Sequence, residues 1–97
     1  MKKFVVERNL PGAGNLSKEE LQTISQNFCE VIIRTGKQHH WLHSYVTEDK
    51  IYCIHIAESE EVVRAHSRVG KFPINTIAEV KAEIDPVTSA QLKKETK

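Results

Sequence analysis

Cysteine is scarce in this chain: Cys29 and Cys53 are too few and too far apart for a disulfide framework or a CxxC metal knuckle. One falls in a helical pattern and the other in a strand pattern, so two reduced, partly buried thiols are expected. Long apolar runs are also missing, and no stretch approaches the roughly 20 residues of a membrane helix. The N-terminus has Lys2 and Lys3 but places Glu7-Arg8 where the apolar core of a signal peptide would continue, so a leaderless, cytoplasmic protein is expected. Charge of one sign is lacking too. The net charge is +1 with 28% charged residues of both signs, and no basic stripe marks a nucleic-acid surface. Gly12-Ala13-Gly14 has neither the third glycine of a dinucleotide loop nor the Gly-Lys-Ser/Thr of a phosphate loop.

What is present is concentrated. Four of the five histidines, the only tryptophan, both tyrosines and one cysteine lie between His39 and Ile56. Two runs of β-branched and aromatic residues flank Thr47-Glu48-Asp49-Lys50, which predicts a β-hairpin. Around it, Lys3–Arg8 predicts a short strand. Ser17-Lys18-Glu19-Glu20 is a capping box opening a helix with the stripe Leu21, Ile24, Phe28, Val31 and Ile32, closed at Gly36. Ser59 can cap a second helix with the stripe Val62, Ala65, His66 and Val69, stopped by Gly70 and Phe72-Pro73. Alternation over 78–84 predicts a last strand, and 87–97 a polar tail.

The resulting order β-α-β-β-α-β is the split βαβ arrangement of the ferredoxin-like fold. It implies one α+β domain over residues 1–86, with a four-stranded antiparallel sheet and two helices on one face. A chain of 97 residues has a modest core, so covering the other sheet face with a second copy is favourable. A homodimer closing into an α+β barrel is therefore expected, with neither nucleic acid nor membrane as partner.

The hairpin makes site chemistry testable by parity. Pairing Val46 with Ile51, Tyr45 with Tyr52, Ser44 with Cys53 and His43 with Ile54 gives two faces. One holds Trp41, His43, Tyr45, Tyr52, Ile54 and Ile56; the other holds Leu42, Ser44, Val46, Ile51, Cys53 and His55. A one-residue bulge would mix them. The more aromatic face is expected to meet the helices. His43, Tyr45, Tyr52 and His66 then converge in a pocket suited to nickel, zinc or copper, or to proton transfer. The alternative use of that pocket, without metal, is as a small-molecule-binding or enzymatic site of a dimeric α+β barrel, with Trp41, Tyr45 and Tyr52 as walls and His66 as acid or base. On the second face, His55 and Glu7 are expected to form a hydrogen-bonded pair, or to share a metal across the dimer. His39 and His40 are expected at an exposed strand start. No serine–histidine–acid constellation or activated cysteine can be assembled.

Several segments also resemble a known family. Phe4-Val5-Val6-Glu7-Arg8 leading to Pro11-Gly12-Ala13-Gly14 is similar to its opening. Ser44–Cys53, Arg64-Ala65-His66 and Gly70-Lys71-Phe72-Pro73 are similar to later parts. The family is a bacterial ferredoxin-like domain family of unassigned function that includes a streptomycete nickel-binding protein. The resemblance implies a cytoplasmic homodimer with a divalent-metal site. Tyr45, Tyr52 and His66 match its motif positions, whereas His39, His40 and His55 depart from its usual aromatic or aliphatic residues.

Overall fold

The structure is a computed structural model that describes residues 1–36 and 38–95, with side chains described as far as residue 90. Strand β1 is Lys2–Asn9, helix α1 Lys18–Thr35, β2 His39–Val46, β3 Lys50–Ala57, helix α2 Glu60–Gly70, β4 Thr76–Glu79 and helix α3 Pro86–Glu95. The strands form one sheet in the order β2-β3-β1-β4, with every pair antiparallel. Helices α1 and α2 touch each other and lie against β2 and β3. This is the ferredoxin-like arrangement expected from the element order. Among the described residues, no helix is long and apolar enough to cross a membrane.

Local chemistry explains the helix ends. Ser17 Oγ accepts from the Glu20 amide at 3.1 Å and Glu20 Oε1 accepts from the Ser17 amide at 2.9 Å, satisfying two otherwise orphaned donors. These bonds hold the Glu20 carboxyl below its ordinary range, the backbone bond contributing most. At the other end Gly36 takes the left-handed conformation at φ 65°, and its amide reaches the Ile32 carbonyl. Helix α1 buries Phe28 and Val31, with Ile24 packed against the core.

Helix α2 departs from expectation in two ways. It runs through Gly70, and the left-handed terminating position at φ 59° belongs to Lys71. Gly70 serves a different need: a methyl group there would collide with the Phe72 ring, which folds back onto the helix end. The buried stripe is Val63, His66 and Ser67, whereas Val69 is exposed. The helix is thus rotated by about one residue from the expected face: His66 keeps its buried place, Val62 packs half-buried against the core, and Val69 turns outward.

The hairpin register is as predicted from Val46–Ile51 to His43–Ile54, and then a bulge intervenes so that Trp41 pairs with His55. Leu42 is the extra residue. The burial of the two faces is the reverse of the expectation. In β3 the buried residues are Ile51, Cys53, His55 and Ala57, while Tyr52, Ile54 and Ile56 are only half-buried. The cause lies in β1, which pairs Val6 with Cys53 and Phe4 with His55. Phe4, Val6 and Arg8 are the buried residues of β1, so their partners turn to the helices with them.

The last strand is shorter than the alternation over 78–84 implied. The β1–β4 ladder spans Thr76–Glu79, and one backbone bond continues it at each end, from the Asn75 amide to the Glu7 carbonyl and from the Val80 amide to the Lys3 carbonyl. Ile84 is exposed, and Lys3 is paired with Glu83. Where a tail was expected, Pro86 begins α3, with Asp85 and Thr88 exchanging backbone-to-side-chain bonds at its start. Residues 96 and 97 of the expected tail lie outside the described residues.

Candidate functional site

Three histidines meet between the sheet and the helices. His39 comes from the first residue of β2, His55 from β3 and His66 from α2, and all three are buried. Their ring centroids are 4.8 Å apart for His39–His55, 4.8 Å for His39–His66 and 5.5 Å for His55–His66. His39 Nε2 and His55 Nδ1 share a hydrogen bond of 2.7 Å. His66 Nε2 donates to the Phe28 carbonyl at 3.1 Å, which leaves a lone pair on its Nδ1.

Burial keeps all three rings neutral. It is the largest influence pushing His55 down to about 2, followed by His39, Arg8 and His66. Burial likewise lowers His39 to about 4, followed by His66, His40 and Arg8. His66 is lowered by burial and by Arg8, against an opposing effect of its bond to Phe28.

His39 Nδ1, His55 Nε2 and His66 Nδ1 are buried without a hydrogen-bond partner. The tautomers constrain what those atoms are. Only one proton can lie between His39 and His55. Whichever ring supplies it, the outer nitrogen of one ring is a bare lone pair and that of the other is an N–H. With His66 Nδ1, the cluster therefore presents two lone pairs and one unsatisfied donor.

Arg8, on β1, lies beside this cluster and is 2% exposed. Its Nε donates to Cys53 Sγ at 3.4 Å, and its Nη1 donates to Ser67 Oγ at 3.0 Å and to the Pro73 carbonyl at 2.9 Å. The guanidinium lies 5.4 Å from the Phe28 ring centre and 5.7 Å from that of Phe72. Its Nη2 has no partner.

The residues expected to form one site are divided by the sheet. His55 and His66 come together, joined by His39, which was expected to be exposed. His43 pairs with Ile54, and Tyr45 with Tyr52, on the opposite face. Glu7 also pairs with Tyr52 there, and its carboxylate binds Lys50 at 3.0 Å. The expected Glu7–His55 pair does not form, because β1 sets Phe4, not Glu7, beside His55. The aromatic pocket is divided in the same way: Trp41 stacks edge-on to Phe28 at 5.1 Å, away from Tyr45 and Tyr52. The bulge at Leu42 causes this, since it sends Trp41 and His43 to opposite faces despite their equal parity.

Residues 4–80 match the family described as nickel responsive protein SCO4226-like. The chain belongs to this family. Among solved structures it is similar to SCO4226 from Streptomyces coelicolor A3(2), with a TM-score of 0.69 and 20% identity over 84% of this chain and 99% of that one. That likeness bears on the fold. No curated protein matches the chain significantly.

Membership of a nickel-responsive family makes nickel the ion against which the cluster should be measured. The donor type suits it, because uncharged imidazole nitrogens with free lone pairs are good ligands for nickel, zinc and copper. The arrangement does not yet form a chelate. Two nitrogens on one tetrahedral ion, each roughly 2.0–2.1 Å from it, stand about 3.3 Å apart. His39 Nε2 and His55 Nδ1, at 2.7 Å, share a proton instead. Among the described residues, no group of three or more His, Cys, Asp or Glu side chains is arranged to hold a metal.

Proposed function

We propose that this member of the nickel-responsive family is a small protein that binds a divalent transition metal, nickel first, and works as a homodimer. The observation that carries the reading is the set of three buried imidazoles, each with one ring nitrogen lacking a partner. Burial already holds these rings neutral, which is the state a metal needs. His66 with either His39 or His55 supplies two donors, and a third becomes available only when the His39–His55 hydrogen bond is given up. The family description supports nickel over zinc or copper.

Dimerisation assigns a use to the open sheet face. That face carries half-buried Val5, Tyr52, Ile54 and Ile56, with Tyr45 60% exposed beside them. A second copy would cover this surface and close the barrel. Glu7, His43, Tyr45 and Tyr52 would then be interface residues, able to complete a metal site only together with their counterparts from the other copy.

Calorimetric titration of tag-free protein with nickel, zinc and copper tests the reading, alongside sedimentation of the metal-free form. Saturable nickel binding that is lost in His55→Gln or His66→Gln supports the interior donors. Loss in His43→Ala with those two variants unaffected would move the site to the open face. A wild-type protein that binds none of the three ions would refute the metal reading, and a strict monomer would refute the dimer.

A further inference from the structure

Neither the histidine cluster nor the open sheet face involves the C-terminal arm. The family match ends at residue 80, and the chain continues through 81–85 into α3. The body holds this segment through the bond from the Val80 amide to the Lys3 carbonyl and the Lys3–Glu83 pair. Beyond Glu83, the hydrogen bonds found among the described residues join the segment to itself, as Asp85 and Thr88 do at the start of α3. Among those residues no other element packs extensively against α3. Ile84 is 83% exposed and Val87 63%. The radius of gyration is 15.9 Å, against about 12–13 Å for a compact chain of this length. A lone helix of ten residues is marginal in water, so this one needs a surface to pack on.

An apolar surface is left open elsewhere in the fold. Between the first half of α1 and the end of β2 runs a trough of about 360 Å³, whose walls include Leu21, Ile24, Trp41, Leu42, Val46 and Ile51. Leu42 and Val46 are exposed there. The arm of the same copy is badly placed to fill it. β4 and β2 are the opposite edges of the sheet, about 14 Å apart. The trough also lies toward the end of the strands where Arg8 pairs with Ile51, whereas β4 ends beside Lys3, roughly 17 Å away. The direction of β4 carries the arm farther from that end. Charge is complementary between the two. Glu19 and Glu20 in the first turn of α1, with Glu48 and Asp49 in the hairpin turn, outnumber Lys18 and Lys50 beside the trough. The sequence over 91–97 carries Lys93, Lys94 and Lys97 against Glu95 alone.

We infer that the arm, from Lys81 through α3, is exchanged between two copies and seats Ile84 and Val87 in the trough of the second copy. The inference rests on the homodimer proposed above and adds to it a contact outside the covered sheet face. A second copy supplies arms and troughs in equal number, and two-fold symmetry lets both arms be seated at once. Because the arm lies beyond residue 80, this contact belongs to the chain and not to the part it shares with the family.

The test uses full-length chains and the dimer dissociation constant from sedimentation velocity over a concentration series. The arm variant is Ile84→Asp with Val87→Asp, and the trough variant is Leu42→Asp; all three positions are exposed, so the fold is kept. Each variant should weaken the dimer at least ~10-fold. An equimolar mixture of the two should associate more tightly than either alone, since one intact arm then meets one intact trough. Unchanged affinity in the arm variant would overturn the inference and leave the dimer standing, whereas a monomeric wild type would remove both. No gain in the mixture would place the arm against its own copy and overturn the exchange. Saturable binding of indole to the wild-type dimer, lost in Leu42→Asp, would give the trough to a small molecule instead.

Discussion

Acid should destabilise this fold well above the range where carboxylates titrate, and the buried histidines set the size of the effect. In the unfolded chain a histidine takes up a proton as pH falls through about 6.5. In the folded chain His39 stays neutral to about 4 and His55 to about 2, both chiefly because of burial. Between those limits the unfolded state binds more protons, so stability falls as pH falls. Each such group contributes a little over 1 kcal/mol per pH unit. From about pH 6.5 to pH 5, His39 and His55 together remove about 3 kcal/mol, and His66, shifted in the same direction, adds to that. A domain of this size has about 5–15 kcal/mol in all, so the loss amounts to a large fraction of its stability. Thermal and urea unfolding across about pH 5–8 should show a fall in Tm of tens of degrees. The double variant His39→Leu, His55→Leu retains only His66 of the three buried imidazoles and should show a clearly smaller slope than wild type. A wild-type Tm that is flat across this window, or equal slopes in wild type and double variant, would refute the assignment of buried neutral rings.

Three smaller perturbations probe the elements that frame the site. Lys71→Gly relieves a left-handed lysine at the end of α2 and should stabilise by about 1 kcal/mol, seen as a Tm rise of about 4–8 °C. Ser17→Ala removes the acceptor for the Glu20 amide and should lower stability by about 1 kcal/mol in urea unfolding. Gly70→Ala forces the Phe72 ring off the helix end, so a loss of about 1–3 kcal/mol is expected. It should also change the near-ultraviolet circular dichroism, because Phe72 is packed edge-on to Phe28 at 4.5 Å.

Features governed by neighbouring residues were legible in the sequence. The capping box at Ser17 and Glu20, the stop at Gly36 and the hairpin register from Val46 to His43 each depend on groups a few positions apart. The element order carried the fold class for the same reason. What misled was the pairing of β1 with β3, which are not joined by a hairpin. A one-residue difference in that register reverses which face of β3 meets the helices. Ile54 and Ile56 looked like core beside Cys53 and His55, because apolar character alone drew the choice. The contrast between Val6 and Glu7 in β1 was the available signal, but Arg8 on the same face as Val6 obscured it. The bulge at Leu42 has no comparable signature, and it moved Trp41 away from His43. His39 was missed because a polar residue starting a strand resembles an exposed one until α2 covers it.

The interior that results is poorly suited to stability alone. Arg8, His39, His55, His66 and Ser67 are all buried, and four of their nitrogens have no partner. Apolar residues of similar volume at the three histidine positions would remove the desolvation penalty and the acid sensitivity together. Places where the local chemistry contradicts good packing are where function is expected to reside. Arg8 adds a fixed positive charge beside the three rings. After burial, its positive field also lowers all three histidines and so favours the uncharged rings that can ligate a metal, but the same field opposes a divalent cation placed among them, so any metal bound here must bring or recruit a compensating negative group.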